Sequence, residues 1–234
     1  MSGPLHVAHW LEAELERHGL HLRGVVDFVD GDGGPRLADG GVARQVLLIG
    51  NIGGSQWEPF RAWRSKQPDG GGEHPLDAWS KEVVGAVAST CGATAYFPSD
   101  PPYQPFQTWA MKAEGLRASP LGILIHPQYG LWHGYRGALG FFQPLPFNRT
   151  APAASHPCET CAEKPCLKTC PAGAVTAETF EVVTCRRHLA TTEGRDGCRA
   201  KGCLARAACP VGSFFRYPED QLRFHMGALD LPPG

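Results

Sequence analysis

Apolar positions set a helical beat at the start of the chain. Leu5, His9, Leu11, Leu15 and His18 recur at near-helical spacing, and Gly19 can close that helix in a left-handed conformation. Residues 21–30 then read as a strand through Leu22, Val25, Val26 and Phe28, stopped by Gly31-Asp32-Gly33-Gly34-Pro35. A second strand over 45–49 is a short apolar run that empties into Gly50-Asn51-Ile52-Gly53-Gly54-Ser55. That glycine run has neither dinucleotide nor Walker spacing, and it reads as a tight turn. An amphipathic helix opens at Pro75, runs through Thr90 and turns Trp79, Val83, Val84 and Val87 toward the core. Residues 93–97 make a short strand, residues 98–105 a stiff proline-rich loop holding Asp100, and residues 106–114 another helix. In the aromatic segment over 121–142, two strands are expected to meet at a turn near Pro127 to Gly130. His126, Tyr129, Trp132, His133, Tyr135 and Arg136 crowd that turn. They suit either a β-hairpin with core aromatics or a wall on which a flat cofactor lies.

Beyond residue 150 the periodic pattern gives way to cysteines. Eight of the nine lie between Cys158 and Cys209. The first run is Cys158, Cys161, Cys166 and Cys170, followed by Pro171; then come Cys185, Cys198, Cys203 and Cys209, followed by Pro210. A [4Fe–4S] cluster takes four thiolates, so eight cysteines make two full sets. In bacterial two-cluster ferredoxins the cysteine before proline serves the opposite cluster. That cross-over assigns one cluster to Cys158, Cys161, Cys166 and Cys209, and the other to Cys185, Cys198, Cys203 and Cys170. Paired zinc sites are the structural alternative. Disulfides would need an oxidising compartment, and the start Met1-Ser2-Gly3-Pro4-Leu5-His6 does not read as a signal peptide. Cys91, alone beside Gly92, reads as a small apolar residue.

Composition narrows the classes. The chain has 234 residues with 42% hydrophobic content, enough for a substantial core. Its net charge of −1 removes the main electrostatic argument for nucleic acid, and no stretch has the apolar length of a membrane span. A loop-rich cytoplasmic protein is expected. The organisation expected is α+β: a cofactor-binding sheet-and-helix domain over 1–150, a small-residue and proline linker, a two-cluster ferredoxin-like module over 151–217, and a tail over 218–234.

The run His126-Pro127-Gln128-Tyr129-Gly130-Leu131-Trp132-His133-Gly134-Tyr135-Arg136-Gly137 resembles the signature of the methylmalonic aciduria type C cobalamin-processing family. That resemblance implies a nitroreductase-related N-terminal domain that binds and reduces corrinoids. The order of four, one and three cysteines, with Asp100, Trp109-Ala110 and Ile125-His126-Pro127 upstream, resembles epoxyqueuosine reductases and, more distantly, corrinoid reductive dehalogenases. By that resemblance Asp100 is the acid beside cobalt, and His126, Tyr129, Trp132 and Arg136 contact the cofactor. The chain departs from the reductases over Glu114 to Leu121, which lacks their Lys-Asn pair, and in the longer loop Cys161-x4-Cys166 that contains Lys164-Pro165. The missing Lys-Asn pair and the near-neutral charge point away from tRNA chemistry, whereas the longer loop bears on the exposure of the cluster.

The function expected is electron passage through two [4Fe–4S] clusters to cobalamin on the N-terminal domain, reducing the corrinoid or a small substrate. Two alternatives stand beside it. One is a ferredoxin-type carrier whose N-terminal domain docks a partner without a second cofactor. The other is a flavin-binding reductase. The locally basic cysteine module, with Lys164, Lys168, Arg186, Arg187, Arg195, Arg199, Lys201 and Arg206, reads either as a solvated basic face or as a surface that suits an acidic flavodoxin or ferredoxin donor.

Overall fold

The structure is a computed structural model that describes residues 3–29, 33–147 and 155–229. The expected end of the first strand at Asp30, the Gly31-Asp32 turn and the Ala151 to Ala154 part of the linker lie outside these residues. The chain forms two compact units, Met1–Gly115 with Gly134–Pro152, and Leu116–His133 with Ala153–Gly234. The chain therefore crosses between units three times. One crossing falls beside the expected boundary near residue 150; the other two, after Gly115 and after His133, have no linker composition.

The first unit is built on a four-stranded sheet in the order β1-β2-β6-β3. Helix α1 (Pro4–Arg17) buries Ala8, Leu11 and Leu15, and Gly19 follows at φ +64°. Strand β1 (His21–Asp27) pairs antiparallel with β2 (Gln45–Ile52), and the register slips between Leu22 and Gly24. Arg23 is the extra residue at that bulge, which re-aims its side chain inward. β2 runs three residues past the expected end, through Gly50 and Asn51, so the first half of the glycine run is strand, not turn. Its burial is almost continuous, so side chains on both faces of the strand are covered. Gly50 is required there: a Cβ would lie 1.9 Å from the Gly134 carbonyl oxygen.

Helix α2 (Trp57–Arg64), which the apolar pattern did not signal, seats Trp57 and Phe60, and the Phe60 ring meets Trp79 edge-on at 5.9 Å. Helix α3 (Pro75–Cys91) starts on proline, carries Asp77 in its first turn and ends at Gly92 with φ +68°. Its buried face is Leu76, Trp79, Val83, Val84 and Val87. Strand β3 (Thr94–Tyr96) pairs antiparallel with β6 (His133–Phe141). Helix α4 (Phe106–Glu114) spans the expected residues between Pro105 and Gly115.

The second unit opens with a two-stranded ribbon, β4 (Arg117–Ala118) against β5 (Leu124–Ile125). The expected hairpin across Pro127 is therefore not formed. β5 pairs backward with β4, while β6 joins the four-stranded sheet, and the residues between them close on themselves through His126 and Gly130. Short helices follow: α5 (Pro157–Thr160), α6 (Pro165–Thr169), α7 (Val182–Ala190), α8 (Thr192–Gly194) running into a π-helical turn Arg195–Arg199, α9 (Leu204–Ala207) and α10 (Glu219–Gly227). Buried Leu121, Ile125, Leu131, Val175 and Ala205 form the apolar centre, and Cys158, Cys166, Cys170, Cys203 and Cys209 pack against it. No helix among the described residues is long and apolar enough to cross a membrane.

Candidate functional site

The second unit distributes its eight cysteines over helix ends. Cys158 lies in α5 and Cys161 follows it; Cys166 lies in α6 and Cys170 follows it. Cys185 is in α7, Cys198 in the π-helical turn, Cys203 just before α9, and Cys209 just beyond it. All are free thiols. Burial first, then the charges of Cys209, Cys166 and Cys161, pushes the Cys158 thiol up to about 11. Burial first, then the charges of Cys203, Cys170 and Cys198, pushes Cys185 up to about 11. The cysteines thus fall into two electrostatic neighbourhoods, Cys158/Cys161/Cys166/Cys209 and Cys170/Cys185/Cys198/Cys203. Each takes one member from the other's sequence run.

Backbone amides point at several of these sulfurs. Ala174 N–H donates to Cys170 Sγ at 3.3 Å. Amides of Leu167, of Ala205 and Arg206, and of Val211 serve Cys166, Cys203 and Cys209, opposing the upward push of burial. Thiols held up by burial and by neighbouring sulfurs, as Cys158 and Cys185 are, make poor free thiolates. They make a sound ligand set for a cationic centre, which deprotonates its ligands, and amide-to-sulfur bonds are a known lever on such centres. Among the described residues, no three His, Cys, Asp or Glu side chains close around a single metal ion.

A cleft in this unit, about 800 Å³, is lined by Cys158, Lys164, His156, Phe180 and the residues 118–123. Nearby, two chain segments cross almost in contact. A Cβ at Gly130 would lie 1.9 Å from the Val211 carbonyl oxygen, and one at Gly212 would lie 2.2 Å from the Tyr129 carbonyl carbon. Only glycine at both positions, each with positive φ, allows the crossing.

The expected corrinoid contacts are divided between the units. His126 Nδ1 accepts from the backbone amides of Gln128 and Tyr129 at 3.0 and 3.2 Å, so this histidine holds its own turn. Its ring stacks on Tyr129 at 4.1 Å, and Tyr129 meets Phe215 edge-on at 5.0 Å. Trp132 is 1% exposed, with the Arg206 guanidinium 4.4 Å over its ring and Tyr217 edge-on at 5.5 Å. Arg206 also donates to the Leu131 carbonyl, fastening α9 to this segment. In the first unit, Asp100 lies 2.5 Å from the Lys81 ammonium and accepts from Ser99 Oγ at 3.3 Å. Arg136 donates to the Tyr135 carbonyl at 3.0 Å and sits 3.9 Å from Asp77. Cys91, expected as a buried apolar residue, is half-buried, with Sγ 3.6 Å from the Ala88 carbonyl.

A buried polar cluster in the first unit carried no sequence signal. Arg23 donates to Glu114 Oε2 at 3.0 Å and to the Asn51 carbonyl at 2.9 Å, and its guanidinium lies over the Tyr135 ring at 5.4 Å. Tyr135 is electrostatically coupled to Glu114 as well. Burial raises the Glu114 pKa against the opposing pull of Arg23 and Tyr135, and burial with the Glu114 charge raises Tyr135. Arg23 at a strand position and Glu114 at a helix end both read as solvated; only the bulge turns Arg23 inward.

No family model and no curated protein matches the chain. Among solved structures it is similar to CblC of C. elegans, described as a B12-trafficking protein and a homologue of human MMACHC. The identity is 14%, the match covers 95% of this chain and 92% of that one, and the TM-score is 0.53. At that identity the likeness is one of fold. It agrees with the mixed helix-and-sheet architecture expected for a cobalamin-processing-like chain.

Proposed function

We propose that this chain is an iron–sulfur redox protein that holds two [4Fe–4S] clusters and delivers electrons to a corrinoid. The observation that carries the reading is the pair of four-cysteine neighbourhoods, each borrowing one cysteine from the other run. Two-cluster ferredoxins interleave their cysteines in this way; cross-braced zinc pairs do so too, and metal content distinguishes the two.

When bound, the clusters supply one-electron transfer at low potential. The chain's own residues provide the conditions for it. The apolar centre of Leu121, Ile125, Leu131, Val175 and Ala205 keeps water from one side of both cysteine groups. Amides of Ala174, Ala205, Arg206 and Val211 favour added negative charge on the sulfurs.

The corrinoid half of the reading is supported by the fold likeness to a B12-trafficking protein and by the resemblance of residues 126–137. It draws little support from the side chains first expected to carry it. Trp132 is enclosed, His126 and Tyr129 are spent on one another, and Asp100 is paired with Lys81. These same contacts favour a second reading, an electron carrier without a second cofactor, and no step through cobalt is drawn from them.

Anaerobic reconstitution separates the possibilities. About eight irons per chain are expected; stoichiometric zinc with no iron would sink the cluster proposal. Titration of the iron-loaded protein with hydroxocobalamin should then shift the cobalt absorbance bands. Full iron with no shift would leave the electron carrier. An acidic flavodoxin- or ferredoxin-type donor fits the basic cysteine segment in either case.

A further inference from the structure

Lys164 is the one non-glycine residue among those described with positive φ, at φ +40° and ψ 55°. L side chains rarely adopt that conformation, and Gly or Asn would take it at lower cost. It sits in the five-step loop from Cys161 to Cys166, directly before Pro165 opens α6. A lysine held against its backbone preference between two cysteines of one group calls for a reason in its side chain.

That side chain lines the same 800 Å³ cleft as Cys158. The neighbouring charges are otherwise engaged: Glu159 pairs with Arg117 at 2.7 Å, and Glu163 with Lys168 at 3.5 Å. Glu178 also lines the cleft. Lys164 has no ion pair among the described residues; it stands two residues before Cys166 and lines one cleft with Cys158. In the other group the corresponding cation, Arg186, acts on Cys185 from within a regular helix.

We propose that Lys164 tunes the first cysteine group: the left-handed loop holds its ammonium beside Cys158 and Cys166 and so raises the reduction potential of the cluster on that group alone. The inference rests on the two-cluster reading. Reduction adds one electron, taken from a low-potential one-electron donor, and no proton. The added negative charge is what the ammonium stabilises, without leaving water. The longer Cys161-x4-Cys166 loop would then be a device for placing a charge.

The test is a redox titration of the full iron-loaded chain, followed by electron paramagnetic resonance, on Lys164→Asn and Lys164→Arg. Asn tolerates the left-handed backbone and removes the charge; Arg keeps the charge. At a poise near the midpoint, Lys164→Asn should lower the reduced-to-oxidised ratio of one site about threefold. That is about 30 mV at 59 mV per tenfold for one electron. The other site should not move, Lys164→Arg should stay near wild type, and the difference should shrink in high salt. The site that moves should be the one whose signal is lost in Cys161→Ala. Unchanged potentials in Lys164→Asn with about eight irons per chain would overturn the role of Lys164 and leave the clusters standing. Protein that takes up zinc and no iron would overturn the cluster reading, and this inference with it.

Discussion

His21 illustrates how a single buried atom sets a pH response. Its Nε2 is buried without a hydrogen-bond partner, and burial lowers its pKa below 6.5, with Glu16 opposing and Arg23 adding to the effect. A lowered pKa means the folded chain binds this proton more weakly than the unfolded chain. Between the lowered value and 6.5 the unfolded state carries more protons, so stability rises with pH through that window and is lost on acidification. His21→Leu should flatten that part of the stability-against-pH curve in urea titrations and leave the curve above neutrality parallel to wild type. An unchanged acid slope would show that other groups carry it.

At the scale of elements, the contact to test is the one that pins α4 to β1. A Cβ on Gly24 would lie 2.7 Å from the Ala113 Cβ, so helix and strand approach as closely as glycine permits, and the Arg23–Glu114 pair locks them beside that contact. Removing one charge leaves the other buried. Arg23→Ala should therefore cost about 3–5 kcal/mol in chemical denaturation, whereas Arg23→Met with Glu114→Leu should recover most of it. A double variant as unstable as the single would mean the ion pair itself, not the stranded charge, matters.

The same elements show what was readable in advance. α3 and α4 were legible because proline starts or precedes them and glycine stops them, signals that act over a few residues. The fate of β5 and β6 was not legible. Both are apolar and close in sequence, and their choice of partners depends on residues 117–118 and on β2 and β3, far along the chain. The cysteine spacing carries the cluster expectation, but Lys164 and Arg206 read as two more basic residues of a solvated face. Nothing local distinguishes a lysine in a left-handed turn, or an arginine seated over Trp132.

For the whole molecule, the two-cluster proposal predicts that metal uptake acts unevenly. Five of the eight cysteines pack directly on the apolar centre of the second unit, so ligand binding there is folding energy for that unit. Thermal unfolding followed by circular dichroism should show two transitions, with iron loading raising one and leaving the other in place. A single transition that moves as one would show that the two units unfold cooperatively.

The divided chain course of the second unit also has a consequence in time. Leu121, Ile125 and Leu131 leave the ribosome well before Ala205, which completes their centre, and Arg206, which fastens Leu131. At about 5–20 residues per second, the interval from Leu131 to Arg206 is roughly 4–15 seconds. For that interval an apolar segment waits without its partners while the sheet between is being made. Slowing or speeding translation across residues 134–205 should therefore change the yield of properly assembled protein, even though the finished chain is identical.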